Sequence, residues 1–167
     1  SAVHVRNGIS IALDHIVVRH SENWAVQVVG NSSLTLTNSL LTTAGAGLLW
    51  VDDGTATISQ TGFVNAPYGV WIDASEAASA SNSAFGNIST EAVHHSGTLF
   101  ANANFQGNWW GHANGPHDPS GADGRQNNNP AGLPVSDIVD YDNYLTVSPA
   151  IPIGPIVRSL QATRVNG

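Results

Sequence analysis

The sequence predicts an all-β fold in which short parallel strands wind into about five stacked coils, a β-solenoid closed by a C-terminal capping segment. Three observations predict it. Similar segments return roughly every 22 residues from Ser1 to about Phe105, and a period of that size belongs to stacked, quasi-one-dimensional architectures. Apolar residues alternate over short runs rich in Val, Ile, Leu and Thr, which is the period of a strand and not of a helix. Gly and Asn punctuate those runs, and no segment reads convincingly as helix.

Each coil opens with a strand. Val3-x-Val5, Val26-x-Val28, Leu48-x-Trp50, Val70-x-Ile72 and Val93-x-His95 recur in phase, so these side chains are expected to face inward. A second series pairs Leu13 with Val18, Leu36 with Leu41, Ile58 with Phe63, Ala80 with Phe85 and Phe100 with Phe105, five residues apart in every case. Two residues after the first member of each pair stand His15, Asn38, Gln60, Asn82 and Asn102. Polar amides stacked at one strand spacing, about 4.8 Å, are expected to bond to each other and to turn backbone, as an asparagine ladder.

Residues 1–108 are thus coils. Trp109 and Trp110 arrive where the fifth coil should complete itself, and residues 109–145, rich in Gly, Asn and Pro, form a closing loop and cap. An open solenoid end exposes apolar core and unpaired backbone, so one tryptophan is expected to plug the last coil; an aromatic platform for a sugar ring is the other reading. Residues 146–167 form an extended tail or linker, because Pro149, Pro152 and Pro155 block helix and central-strand pairing. At the other end Val3, Val5 and Leu13 would face an unformed coil. A neighbouring domain, subunit or further coils are expected there, and a chain opening on Ser1 inside a coil reads as part of something longer.

The repeats Leu34-Thr-Leu-Thr-Asn-Ser-Leu-Leu41 and Tyr68-Gly-Val-Trp-Ile72 resemble coils of right-handed parallel β-helix proteins, the pectin-lyase-like superfamily. The run Asn108-Trp-Trp-Gly-His-Ala-Asn-Gly-Pro116, followed by Asn129-Pro130 and Val135-Ser-Asp-Ile-Val-Asp-Tyr141, is similar to the segment that ends many extracellular and cell-surface β-helix repeat proteins. The usual Pro-Trp-Leu ending is replaced here by Asp142-Asn-Tyr-Leu145. The resemblance implies a right-handed coil and an extracellular or cell-surface location. It implies no single chemistry, since lyases, hydrolases, epimerases and structural stalks share that scaffold.

Composition narrows the partners. A net charge of −7 with no lysine disfavours nucleic acid and anionic membrane surfaces. No run approaches the ~18 apolar residues of a membrane span, and no signal peptide is visible. The absence of cysteine excludes disulfides and thiolate metal sites. Charged residues make up only 10% of the chain, which suits a surface-displayed solenoid of Ser, Thr, Asn and Gly.

Side chains alternate faces along a strand, so the residues between the inward positions, His4, Gln27, Leu49, Trp71 and His94, form an outward column. Trp24 and Tyr68 lie close by in register. Trp24, Leu49, Tyr68, Trp71 and His94 are the candidate binding surface for a polysaccharide or glycan, because exposed aromatics on a flat sheet stack sugar rings; a covering segment such as the proline-containing tail is the alternative. Asp53 and Asp73 end successive strands with Glu76 nearby, and two such carboxylates can work as acid and base on a glycosidic bond. An Asp after a strand is also an ordinary turn residue. Without lysine, and with arginines scattered at Arg6, Arg19, Arg125, Arg158 and Arg164, a lyase base is not evident.

His94-His95 and His112 with His117 and Asp118 lack zinc-site spacing. Asp118 and Asp123, with Asp137, Asp140 or Asp142, offer oxygens for a structural Ca2+, although no EF-hand pattern is present. No Gly-x-Ser-x-Gly elbow or phosphate-binding loop occurs. Two functions therefore stand: a structural or adhesive module of a larger extracellular or cell-surface protein, glycan-binding or self-associating, and a fragment of a polysaccharide-active hydrolase or lyase.

Overall fold

The computed structural model describes residues 1–97 and 102–151, and it is a parallel β-solenoid of about four turns. Three faces wind around one core. The first stacks β1 (Val3–Val5), β4 (Trp24–Val28), β7 (Gly47–Val51) and the C-terminal halves of two long strands, β9 (Gly62–Ile72) and β11 (Ala84–His95). The second stacks β2 (Ser10–Asp14), β5 (Ser32–Thr37), β8 (Gly54–Ser59), β10 (Ala77–Ser81) and β12 (Ala103–Asn104). The third stacks β3 (Val17–Ser21), β6 (Leu40–Ala44) and the N-terminal halves of β9 and β11. The fifth rung is partial, consisting of the end of β11, β12 and a bridge between Ala84 and Trp109. Two further short strands, β13 (His117–Asp118) and β14 (Asn127–Asn128), pair antiparallel in the closing segment.

The inward files are those expected, with two corrections. Val26 pairs with Leu49 and Val28 with Val51, and these in turn meet Val70 and Ile72. The third coil therefore points Leu49 and Val51 inward and Trp50 outward, one residue out of step with the Leu48-x-Trp50 reading. A one-residue slip exchanges the faces of a strand, so Leu49 is fully buried core and not a surface residue. The physical reason lies in Leu48-Leu49-Trp50-Val51, an unbroken apolar run without alternation, in which both Leu48 and Leu49 are buried.

In the fifth rung, Ala78 pairs with Ala103 and Ser79 with Asn104, which sets Phe105 beside Ala80. Trp110 then lies beside Phe85, where the Phe100–Phe105 pairing had Phe105; Phe100 is outside the described residues. Rings of Phe63, Phe85 and Trp110 stack along the axis at 5.0 and 4.9 Å, with interplanar angles of 13° and 6°. All three are fully buried. Trp110 is the plug that closes the core, and aromatic pairs of this kind add about 0.5–1.5 kcal/mol each beyond area burial.

The asparagine column also differs. His15, Asn38, Gln60 and Asn82 sit at φ of 48 to 52°, the left-handed bend between the second and third faces, and Gly107 at φ 68° replaces Asn102 in that file. Their side chains reach the surface, where Asn38 donates to Asp14 rather than to another amide. The buried ladder lies one residue later, in Ser39, Thr61, Ser83 and Asn108. Ile16 N donates to Ser39 Oγ at 3.1 Å, Thr61 N to Ser83 Oγ at 3.1 Å and Ser83 N to Asn108 Oδ1 at 2.8 Å. Each bond satisfies a corner amide that strand pairing leaves over.

At the opposite end no strand among the described residues pairs with the outer edges of β1, β2 and β3, and Ile9 and Ile11 stand exposed. Of the tail, Ile151 lies by Gly62 on the third face, 3.6 Å from where a Cβ there would sit; residues 152–167 are outside the described residues. Among the described residues no helix is long and apolar enough to cross a membrane.

Candidate carbohydrate-binding face

The first face of the solenoid carries a continuous aromatic cluster on its outer side. β4 supplies Trp24, β7 Trp50, β9 Tyr68 and Trp71, and β11 His94, all half-buried. Trp50 and Trp71 are register partners, as are Trp71 and His94. Ring centroids lie 3.9 Å apart for Trp71 and His94, 4.9 Å for Tyr68 and Trp71, 5.9 Å for Trp24 and Trp50, and 6.4 Å for Trp24 and Tyr68. Gly47 makes the last contact possible. It stands between Trp24 and Tyr68 on the neighbouring strands, and a Cβ there would fall 2.1 Å from the Trp24 ring, so only a glycine lets that ring lie over the strand.

Asp73 borders the cluster. Its Oδ2 accepts from Trp50 Nε1 and its Oδ1 from Trp71 Nε1, both at 2.9 Å, which fixes the two indoles edge-on to one carboxylate. Because Val51 pairs with Ile72, the carboxylate next to Asp73 is Asp52. Burial pushes the Asp52 carboxyl up, and the charges of Asp73, Asp53 and Glu76 push it further. Asp53 itself is exposed at φ 60°, in the left-handed corner after β7. Glu76 accepts from the Gly54 amide at 2.7 Å. Among the described residues none of these four carboxylates makes a salt bridge.

Across the cluster, His94 Nδ1 bonds the Glu91 carboxylate, and Ser136 Oγ approaches the same nitrogen at 3.3 Å. A serine–histidine–acid relay needs base and acid on opposite ring nitrogens, so this trio orients His94 and does not activate Ser136. His95 points inward, and burial pulls its pKa down, favouring the neutral ring.

The closing segment brings together Asp118, Asp123 and Asp137, each offering an oxygen within 4.8 Å of the others. Asp118 accepts from Tyr141 Oη at 3.0 Å and from Ser120 N. Asp123 accepts from the amide and guanidinium of Arg125, whose guanidinium also pairs with Asp140 and Asp142. Burial raises the pKa of Asp118 despite the Tyr141 bond. The oxygen donors suit a hard cation, and Arg125 already offsets part of their charge. The cleft beside them, lined by Asp123, Arg125, Tyr141, Asp142 and Tyr144 among others, is polar and open.

No family model, curated protein or solved structure matches the chain. The site is therefore read from its own geometry. Of the expected binding residues, Trp24, Tyr68, Trp71 and His94 converge and Leu49 does not; of the carboxylates, Asp73 lies at the aromatic rim and Asp53 at the neighbouring corner. Sequence reasoning missed Trp50 and Asp52 as site residues. Both follow from the corrected register, since once Val51 lies beside Ile72, Trp50 must lie beside Trp71 and Asp52 beside Asp73. Glu91 carried no usable signal, because a bulge between Ile88 and Glu91 places it; Asp137 was one of three aspartates offered beside Asp118 and Asp123, and the path of the closing loop selects it.

Proposed function

We propose that the protein is a structural and adhesive β-solenoid module that holds a polysaccharide on the outer aromatic face of its first sheet. The observation that carries this reading is the unbroken run of Trp24, Trp50, Tyr68, Trp71 and His94 over four adjacent strands. Three strand spacings of about 4.8 Å span roughly 15 Å, long enough for more than one pyranose ring. Sugar C–H faces stack on such rings, and the polar rim meets hydroxyls. Membership of the pectin-lyase-like superfamily and display outside the cell belong to the same proposal, on the resemblance of the repeats and the closing run.

Binding of the full chain to immobilised plant and bacterial polysaccharides tests it. Expected is retention that Trp71→Ala and Tyr68→Ala each weaken about tenfold or more, a loss of about 1.4 kcal/mol, with the far-ultraviolet circular dichroism unchanged. Failure of the wild-type chain to bind any glycan would overturn it.

A hydrolase reading draws on one observation, the raised Asp52 beside Asp73 at the rim, a pairing suited to acid and base roles. Turnover of a polysaccharide that Asp52→Asn and Asp73→Asn both abolish would make the face an active site.

A further inference from the structure

Building on the reading of the aromatic face as a glycan site, we propose that its ligand bears free amines: a polymer of glucosamine-type sugars, rather than a neutral or uronic-acid glycan. The inference rests on what surrounds the rings. Asp52 and Asp73 end neighbouring strands at one rim, Asp53 follows Asp52 at the corner, and Glu76 reaches back to the Gly54 amide beside them. Four carboxylates thus gather at one edge of the aromatic surface. Glu91 lies at the opposite flank, against His94.

Among the described residues no salt bridge balances the four. The chain has no lysine, and Arg125 is held in the closing segment by Asp123, Asp140 and Asp142. Arg19 lies on β3, on the third face, and Arg6 follows β1 at the open end. Among the described residues the histidines closest to this rim are His94, taken up by Glu91, and His95, buried and favoured neutral. Asp73 accepts one bond at each oxygen from the two indoles, which holds a negative charge at the ring edges. A carboxylate retains further lone pairs after two such bonds, and Asp52 stands next to it.

An ammonium on a sugar stacked over Trp50 or Trp71 would meet both the ring faces, which attract cations, and the Asp52–Asp73 edge. Few arrangements suit a protonated amine better. A uronate at the same place would meet four like charges on a chain of net charge −7, which electrostatic complementarity disfavours. A neutral sugar would gain the stacking alone.

Titration calorimetry of the full chain with three oligomers of equal length separates the cases: fully deacetylated glucosamine, N-acetylglucosamine and galacturonate, each at low and at high salt. Expected is about tenfold tighter binding of the glucosamine oligomer than of its acetylated counterpart, shrinking as salt screens the charges. Asp52→Asn is expected to bring the first affinity toward the second, and Trp71→Ala to weaken both. Equal affinities, or preference for the acetylated or galacturonate oligomer, would overturn the amine inference while leaving a glycan face. No binding of any of the three, with polysaccharides also unbound, would overturn the glycan reading itself.

Discussion

Single side chains carry the clearest consequences. Trp110 closes the core by lying flat on Phe85, and its truncation to Ala would leave a large void that the stacked coils cannot collapse into. Trp110→Ala is expected to cost about 3–5 kcal/mol, read as a lowered urea midpoint. Gly47 acts by absence of a side chain, so Gly47→Ala is expected to push Trp24 off β7, shift the tryptophan emission and weaken the proposed glycan binding. Asp52 carries a pH signature. Its folded-state pKa is raised by burial and by Asp73, Asp53 and Glu76, so between the unfolded value of 3.8 and the raised value the folded chain holds more protons. Stability then falls as pH rises through that window. Asp52→Asn is expected to remove that part of the slope in denaturation measured at successive pH values. Asp14 acts the other way: bonds from Thr37 and Asn38, then His15, hold it at about 2, and its contribution, present above 3.8, is lost as pH falls toward that value.

At the scale of the element, the coil corners decide stability. The ladder of Ser39, Thr61, Ser83 and Asn108 satisfies amides sealed from water, and Ser83 serves it twice, accepting from Thr61 N and pairing its own amide with Asn108. Ser83→Ala strands the Thr61 amide and is expected to cost about 1–3 kcal/mol, measurable by chemical denaturation. Asn82, one residue earlier, bonds through its backbone and pays for a left-handed conformation at φ 49°. Asn82→Ala is expected to cost about 1 kcal/mol, and Asn82→Gly far less. The two files were easily confused in the sequence because both are polar and adjacent. Amides at a fixed spacing announce a bend, but only the burial of the next position shows which file holds the hydrogen bonds.

The whole molecule is asymmetric along its axis. One end is sealed by Trp110 and the closing segment, with Val135 and Val139 buried against the last rung; at the other, β1, β2 and β3 have no partner on their outer edges among the described residues. In a stack where each coil touches only its neighbours, residues 1–167 taken alone are expected to open first at the coil with a neighbour on one side only. Amide exchange followed by mass spectrometry is expected to be fastest in residues 3–21 and slowest in β9 and the N-terminal half of β11. Uniform protection along the axis would contradict this one-dimensional picture.

Repeat, alternation and turn residues were enough to determine the solenoid, most of its inward files, the plug at the tryptophan pair and four of the five rings on the outer face. These are local properties, written in spacing and side-chain type. Register in the third coil was not local, because Leu48-Leu49-Trp50-Val51 satisfies either phase, and only pairing with Val26 and Val70 on both sides chose Leu49 for the core and Trp50 for the surface. That choice also set Asp52, and not Asp53, against Asp73. The choice of Asp137 over Asp140 and Asp142 beside Asp118 and Asp123, and the convergence of Ser136 with His94, came from a closing loop whose path depends on contacts far apart in the chain, which no spacing encodes.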